Sequence, residues 1–327
     1  MESQLYYLQQ VQPLWVNVDQ IFYDFQYQRE LIARDCQNLA GYARSLSREE
    51  LQKIPVLTNH VRLQTFIGVG SSFVLLLNGA SRSQYTPRSA VSFVSEKLVN
   101  SLLRVHQRTG SICVIAYFCG KHYHPEDEYS DPFAMLKNLV LQLIDQYRGF
   151  SRDLLNTAVE TIRGGDWKAV SKLLKQLVQS ISTYVTVFCV IDGIIFFQSP
   201  NERMTKTTAV IRRLLKLSRA GPNPGPVFKV LFTTPAKCLD FGDLFETYET
   251  WTLLANSYPR GRPGVQHWRS SGIGSSLSTL NNNMQPYMQP YMPPNMPPYM
   301  PPYTQSESSS SKSYDSRPTS SDDYRGH

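Results

Sequence analysis

No stretch of this 327-residue chain is both long and apolar enough to cross a bilayer. The longest apolar segment, residues 185–197, is interrupted by Asp192 and falls short of the roughly 20 residues that a spanning helix needs. The first ten residues, MESQLYYLQQ, have no basic stretch ahead of an apolar one and do not read as a signal peptide. Histidine is scarce, at six, and no Gly-x-Ser-x-Gly elbow occurs, which removes the usual serine-hydrolase layout. Cysteine is limited to Cys36, Cys113, Cys119, Cys189 and Cys238. That odd number, with three members in or beside apolar runs, disfavours a disulfide framework. It points to buried free thiols in a reducing compartment, and the expected location is cytoplasmic. The net charge of +7 comes from Lys and Arg scattered along helical stretches. Without a basic stripe or a nucleic-acid module, no specific nucleic-acid partner is expected.

What the chain does have falls into three parts. Residues 1–65 read as helices, with apolar residues at three- and four-residue spacing and the aromatics Trp15, Phe22, Tyr23, Phe25 and Tyr27. Within them Ser47, ahead of Glu49 and Glu50, suits the N-cap of a helix over 47–54. Residues 66–257 change to short β-branched or aromatic runs at 73–77, 112–119, 185–191, 227–233 and, weakly, 249–254. Helical stretches lie between them at 87–105, 132–147, 151–162, 166–180 and 201–218. Continuous apolar strands alternating with helices predict an α/β domain with a doubly wound, mainly parallel sheet. Residues 258–327 are rich in Ser, Pro, Tyr and Met, and QPYMQPYMPPNMPPYMPPY repeats every four residues over 285–303. Such a segment favours polyproline II and is expected to be disordered. Its P-x-x-P spacings suit a protein partner with an aromatic-lined groove, and an inert linker or weak self-association through Tyr and Met are the alternatives.

The richest chemistry lies in residues 73–103, FVLLLNGASRSQYTPRSAVSFVSEKLVNSLL. An apolar strand runs through Asn78-Gly79 and a polar loop into an amphipathic helix, for which Thr86 is the expected cap and Pro87 the first turn. This is the layout of a mononucleotide-binding unit, in which loop amides and a helix N-terminus hold phosphate. Counted from Gly79 in the G-x-x-x-x-G-K-[ST] frame, Gln84, Tyr85 and Thr86 stand where Gly, Lys and Ser/Thr belong. The loop therefore lacks the glycine that admits the phosphates and the lysine that reaches them. Arg82 and Arg88 flank it, but a planar guanidinium does not reproduce a compact ammonium.

A second motif, VTVFCVIDGIIFF over 185–197, ends a buried strand in Asp192, the position where a carboxylate holds magnesium directly or through water. The following residue is Gly193 rather than the second acid that hydrolysis usually needs; the alternative is a simple Asp-Gly turn. A third, VFKVLFTTP over 227–235, ends a strand in Thr233-Thr234, a polar sensor-like position. The run Cys119-Gly-Lys-His122-Tyr-His124 has zinc-ligand residue types. With no fourth ligand evident and Glu126, Asp127 and Glu128 beside it, it is expected to be a surface loop.

In this order the motifs resemble the nucleotide-binding core of fungal NACHT-like, STAND-class P-loop proteins. The stretches that carry the resemblance are LLLNGASRSQYTPRSAVSFVSEKLVNSL, IAYFCGKH, DPFAMLKNLVLQLI, VFCVIDGI and VFKVLFTTP. The resemblance implies a P-loop fold with strand order of the 5-1-4-3-2 type and ancestral binding of ATP or GTP with Mg2+. It assigns Gly79 and Thr86 to the phosphate loop, Thr233 to the sensor and Asp192 to the metal. Ser81 and the flanking Arg82 and Arg88, either of which could approach a phosphate or stay a solvated loop residue, complete the candidate nucleotide-binding set, and no catalytic residue is assigned. The missing lysine, the missing second acid and the lack of a downstream repeat array set this chain apart. They favour a non-catalytic or weakly nucleotide-binding regulatory module. An active switch built on Asp192 and an arginine, or a scaffold acting through the tail, are the alternatives.

Overall fold

The computed structural model describes residues 17–81, 88–220 and 225–254; the expected disordered tail lies outside them. Five strands form one all-parallel sheet: β1 (Phe73–Asn78), β2 (Ile112–Phe118), β3 (Thr186–Asp192), β4 (Val227–Thr234) and β5 (Thr250–Thr252). Their order across the sheet is β2-β3-β4-β1-β5, which from the other edge is the implied 5-1-4-3-2. The strands read as unbroken apolar runs because both faces are covered. Ile115, Val187, Cys189, Val230 and Val74 face one core, and Val114, Phe188, Val190, Leu231 and Leu75 face the other.

The first face is covered by α1 (Val18–Asp24), α6 (Pro132–Gln146), α7 (Arg152–Arg163), α8 (Trp167–Ser180) and α9 (Asn201–Ser218). The second is covered by α2 (Leu31–Tyr42), α3 (Arg48–Asn59), α4 (Val61–Gly68) and α5 (Ala90–Thr109). The N-terminal helices thus contribute to both cores: Phe22 belongs to the first, while Cys36, Leu57 and Phe66 belong to the second.

Three local features depart from the sequence expectation. The helical reading through the N-terminal region breaks between α1 and α2, where Gln26 takes a left-handed backbone (φ 52°). Helix α3 continues past Pro55 to Asn59 instead of stopping at residue 54. The helix after the polar loop begins at Ala90, later than expected. Its cap is Ser89, whose hydroxyl accepts the Ser92 N–H at 3.1 Å. At the far end Gly110 closes α5 in the left-handed region that glycine tolerates (φ 62°).

Candidate functional site

Parallel pairing brings the C-terminal ends of three strands together. Leu77 is in register with Thr233 and Asn78 with Thr234, and β3 ends at Asp192 beside them. Open α/β sheets bind ligands at this end. Asp192 is 2% exposed. Its Oδ1 accepts the Thr233 hydroxyl at 2.5 Å, and the Gly193 N–H donates to the Thr233 carbonyl at 2.9 Å. Burial raises the Asp192 pKa, while hydrogen bonds from Thr233 and from Ser92 and Ser95 on α5 pull it down. The carboxylate that the sequence pairs with the loop therefore faces the first turns of the helix that follows the loop.

On the β1 side, main-chain groups near the expected phosphate loop are already engaged. The Gly79 N–H donates to the Thr234 carbonyl at 2.8 Å, and the Ser81 N–H donates to the Pro235 carbonyl at 2.9 Å. Gly79 is required by packing: a Cβ there would lie 2.4 Å from the Pro235 carbonyl oxygen and 2.8 Å from Val91 Cγ2. Asn78 ties the strand ends together. Its Oδ1 accepts the Thr234 hydroxyl at 2.9 Å and the Cys238 N–H at 3.1 Å, and its Nδ2 donates to Thr252 at 3.1 Å.

The N-terminus of α5, where a phosphate would sit, is occupied by Glu50 of α3. One carboxylate oxygen accepts the Ala90 N–H at 2.7 Å, and the other accepts the Ser81 hydroxyl at 2.9 Å. The partial positive charge of a helix N-terminus favours an anion there, and the protein supplies its own. Lys53, one turn further along α3, is fully buried. It donates to Glu50 and to the Ala80 carbonyl (3.1 Å), and Glu49 lies 3.5 Å from its ammonium. Sequence reasoning missed both residues. Ser47 and Glu50 form the S-x-x-E pattern of a capping box, in which the acid would turn back to its own helix. Ser47 does accept the Glu50 N–H at 3.2 Å, but the Glu50 side chain leaves for α5.

The remaining candidates fare differently. Thr233 and Asp192 are together, and Gly79 and Ser81 lie at the exit of β1. Arg88 is exposed, with its guanidinium 4.4 Å from the centre of the Tyr42 ring, and the Lys121 ammonium also lies over that ring, at 4.7 Å. Arg82 and Thr86 fall outside the described residues. The surface-loop expectation for residues 119–124 is corrected at His122, which is 4% exposed. Its Nε2 is 2.9 Å from Asp35 of α2 and its Nδ1 is 2.9 Å from Asp127. Burial alone would lower its pKa, but the two carboxylates hold it above the usual histidine value. Their pull draws the loop inward against α2.

Among the described residues, no group of three His, Cys, Asp or Glu side chains is placed to hold a metal ion. Asp192 is the one expected ligand at the strand ends, and it is enclosed by three hydroxyl-bearing side chains. Magnesium demands near-octahedral oxygen coordination and keeps several waters. With Glu50 at the helix N-terminus and Asp192 enclosed, the described residues do not fit a magnesium-bound triphosphate as they are arranged. No helix of the described residues is long and apolar enough to cross a membrane.

The family model described as Nephrocystin 3, N-terminal, a NACHT-associated region, matches residues 70–233. That span takes in β1, α5, β2, β3 and β4 as far as Thr233, and leaves out Glu50 and Lys53. Comparison with curated proteins returns no match. The matched segment covers half of the chain, and the chain belongs to the nephrocystin 3 N-terminal family.

Proposed function

We propose that this chain is a non-catalytic regulatory or interaction module of the NACHT-like kind, derived from a nucleotide switch whose phosphate seat is now filled from within. The observation that carries this reading is the Glu50 carboxylate bonded to the first helical N–H of α5, at Ala90. Three further features support it: the Gly79 and Ser81 amides are committed to β4-side carbonyls, Asp192 is enclosed, and Lys53 neutralises the inserted acid. A triphosphate entering here would have to displace a carboxylate that already has a backbone donor, a hydroxyl and an ammonium. The partner of such a module is a protein. Capture of that partner through the Pro-, Tyr- and Met-rich segment is tested by deleting residues 281–327 and repeating the capture.

The decisive experiment is a thermal-shift titration of the full chain with Mg-ATP and Mg-GTP. A ligand that binds only the folded state raises stability by RT ln(1 + [L]/Kd), about 2.7 kcal/mol at a hundredfold excess over Kd. No shift at millimolar nucleotide is the expected result. A saturable rise in Tm that Asp192→Ala abolishes would overturn the proposal in favour of an active Mg-nucleotide switch.

A further inference from the structure

At the opposite end of the sheet from Asp192, a cleft of about 730 Å3 opens between α8, α9 and the residues that lead into β1 and β4. Ser72 and Pro226 mark that end, and the Ser72 hydroxyl accepts the Phe228 N–H at 3.0 Å. Pro226 and Leu244, both half-buried, form the apolar part of its wall, over the buried Val178, Leu215 and Phe228. Around them stand five cations, Lys175, Arg212, Arg213, Lys216 and Arg219, against a single acid, Asp243.

The five cations are not equally engaged. Arg219 is held by Glu249 and by the Leu244 carbonyl, and the Arg213 Nε donates to Ser171 at 2.8 Å. Among the described residues, Lys175, Arg212 and Lys216 have no ion-pair partner. Arg212 and Lys216 lie four residues apart on α9, where like charges repel and weaken the helix. Folding gains nothing from that pair, whereas an anion placed between them would be attracted by both.

We propose that this cleft binds a small amphipathic anion, with its apolar body against Pro226 and Leu244 and its carboxylate among Lys175, Arg212 and Lys216. The volume lies within the roughly 300–1,000 Å3 of small-molecule sites. A nucleic acid would call for cations tracking a backbone along an open surface; here they gather around one half-open cleft whose wall is partly apolar.

The test uses the full chain and the fluorescent anion anilinonaphthalene sulfonate, displaced by dodecanoate, dodecanol or inorganic phosphate. Saturable binding that dodecanoate reverses is expected. Dodecanol should be roughly tenfold weaker, and phosphate alone ineffective, because both halves of the ligand are recognised. Arg212→Glu with Lys216→Glu alters two exposed side chains and should weaken dodecanoate roughly tenfold with Tm unchanged. If that variant misfolds, Lys175→Gln carries the same expectation with a smaller loss. Equal potency of dodecanol and dodecanoate, phosphate displacing the dye as well as dodecanoate does, or undiminished binding by a folded variant, overturns the proposal.

Discussion

Removing the Glu50 carboxylate should cost the protein about 3 kcal/mol, because one group serves three partners. The Ala90 N–H at 2.7 Å, the Ser81 hydroxyl at 2.9 Å and the buried Lys53 ammonium all end on it. Breaking a buried ion pair from one side typically costs about 3–5 kcal/mol, since the other charge stays behind. Glu49, 3.5 Å from Lys53 but itself 41% exposed, offsets part of that loss, so Glu50→Ala belongs at the lower end. Lys53→Met keeps the packed stem and leaves the carboxylate its other two donors, so about 1 kcal/mol is expected. In the double variant no ammonium is stranded, and its loss should fall about 2 kcal/mol short of the two single losses added together. Equilibrium urea unfolding of the full chain near neutral pH, followed by circular dichroism, measures all three. If the losses simply add, or Glu50→Ala lies within about 0.5 kcal/mol of the parent, Glu50 is not the internal occupant described above.

Three other expectations follow from the same packing. Gly79→Ala should destabilise by roughly 2–4 kcal/mol, read as a lower urea midpoint, because its Cβ would meet the Pro235 carbonyl at 2.4 Å; an unchanged midpoint would place the β1 exit elsewhere. Lys229 lies 1% exposed in β4, its ammonium 2.8 Å from the Ile67 carbonyl, and burial lowers its pKa from 10.5 to about 8. Below pH 8 both folded and unfolded chains carry its proton; between 8 and 10.5 only the unfolded chain does. Relative to Lys229→Met, the parent should therefore gain stability with rising pH across that window, by about 3 kcal/mol, and a flat difference would contradict it. His122 behaves oppositely: Asp35 and Asp127 raise its pKa in the fold. Its stabilisation is present below the ordinary histidine value of 6.5 and fades as pH climbs through the raised one. Asp35→Asn with Asp127→Asn should flatten that decline, measured by unfolding at a series of pH values.

Much of the candidate site was legible at the level of position and little at the level of contact. Asp192 and Thr233 were found because each closes an apolar run, and a parallel sheet gathers such strand ends at one edge. Gly79 was found from the motif frame, and the structure adds a packing reason that the frame does not contain: its missing side chain leaves room for the Pro235 carbonyl and Val91. Glu50 and Lys53 stayed hidden because an acid three residues after Ser47 already has a local explanation as a cap. Nothing local links Glu50 to Ala90, 40 positions further along the chain. His122 was misplaced for a similar reason. Its loop is polar in sequence, and only the approach of Asp35 from α2, 87 residues away, makes a buried position tolerable.

The sequence by itself determined the α/β class, most of the element boundaries and the parallel sheet, since these follow from periodicity and from strands apolar on both faces. It also determined that Gln84, Tyr85 and Thr86 follow Gly79 at the spacing compared with a phosphate loop, which is a matter of residue identity. Tertiary structure alone decided that Glu50 reaches the N-terminus of α5, which cations gather around the cleft beside α9, and that His122 and Lys229 are buried. Each of those outcomes is a meeting of side chains with other groups far apart in the chain. Their energy depends on the low dielectric and fixed distances that exist only once the layers have packed.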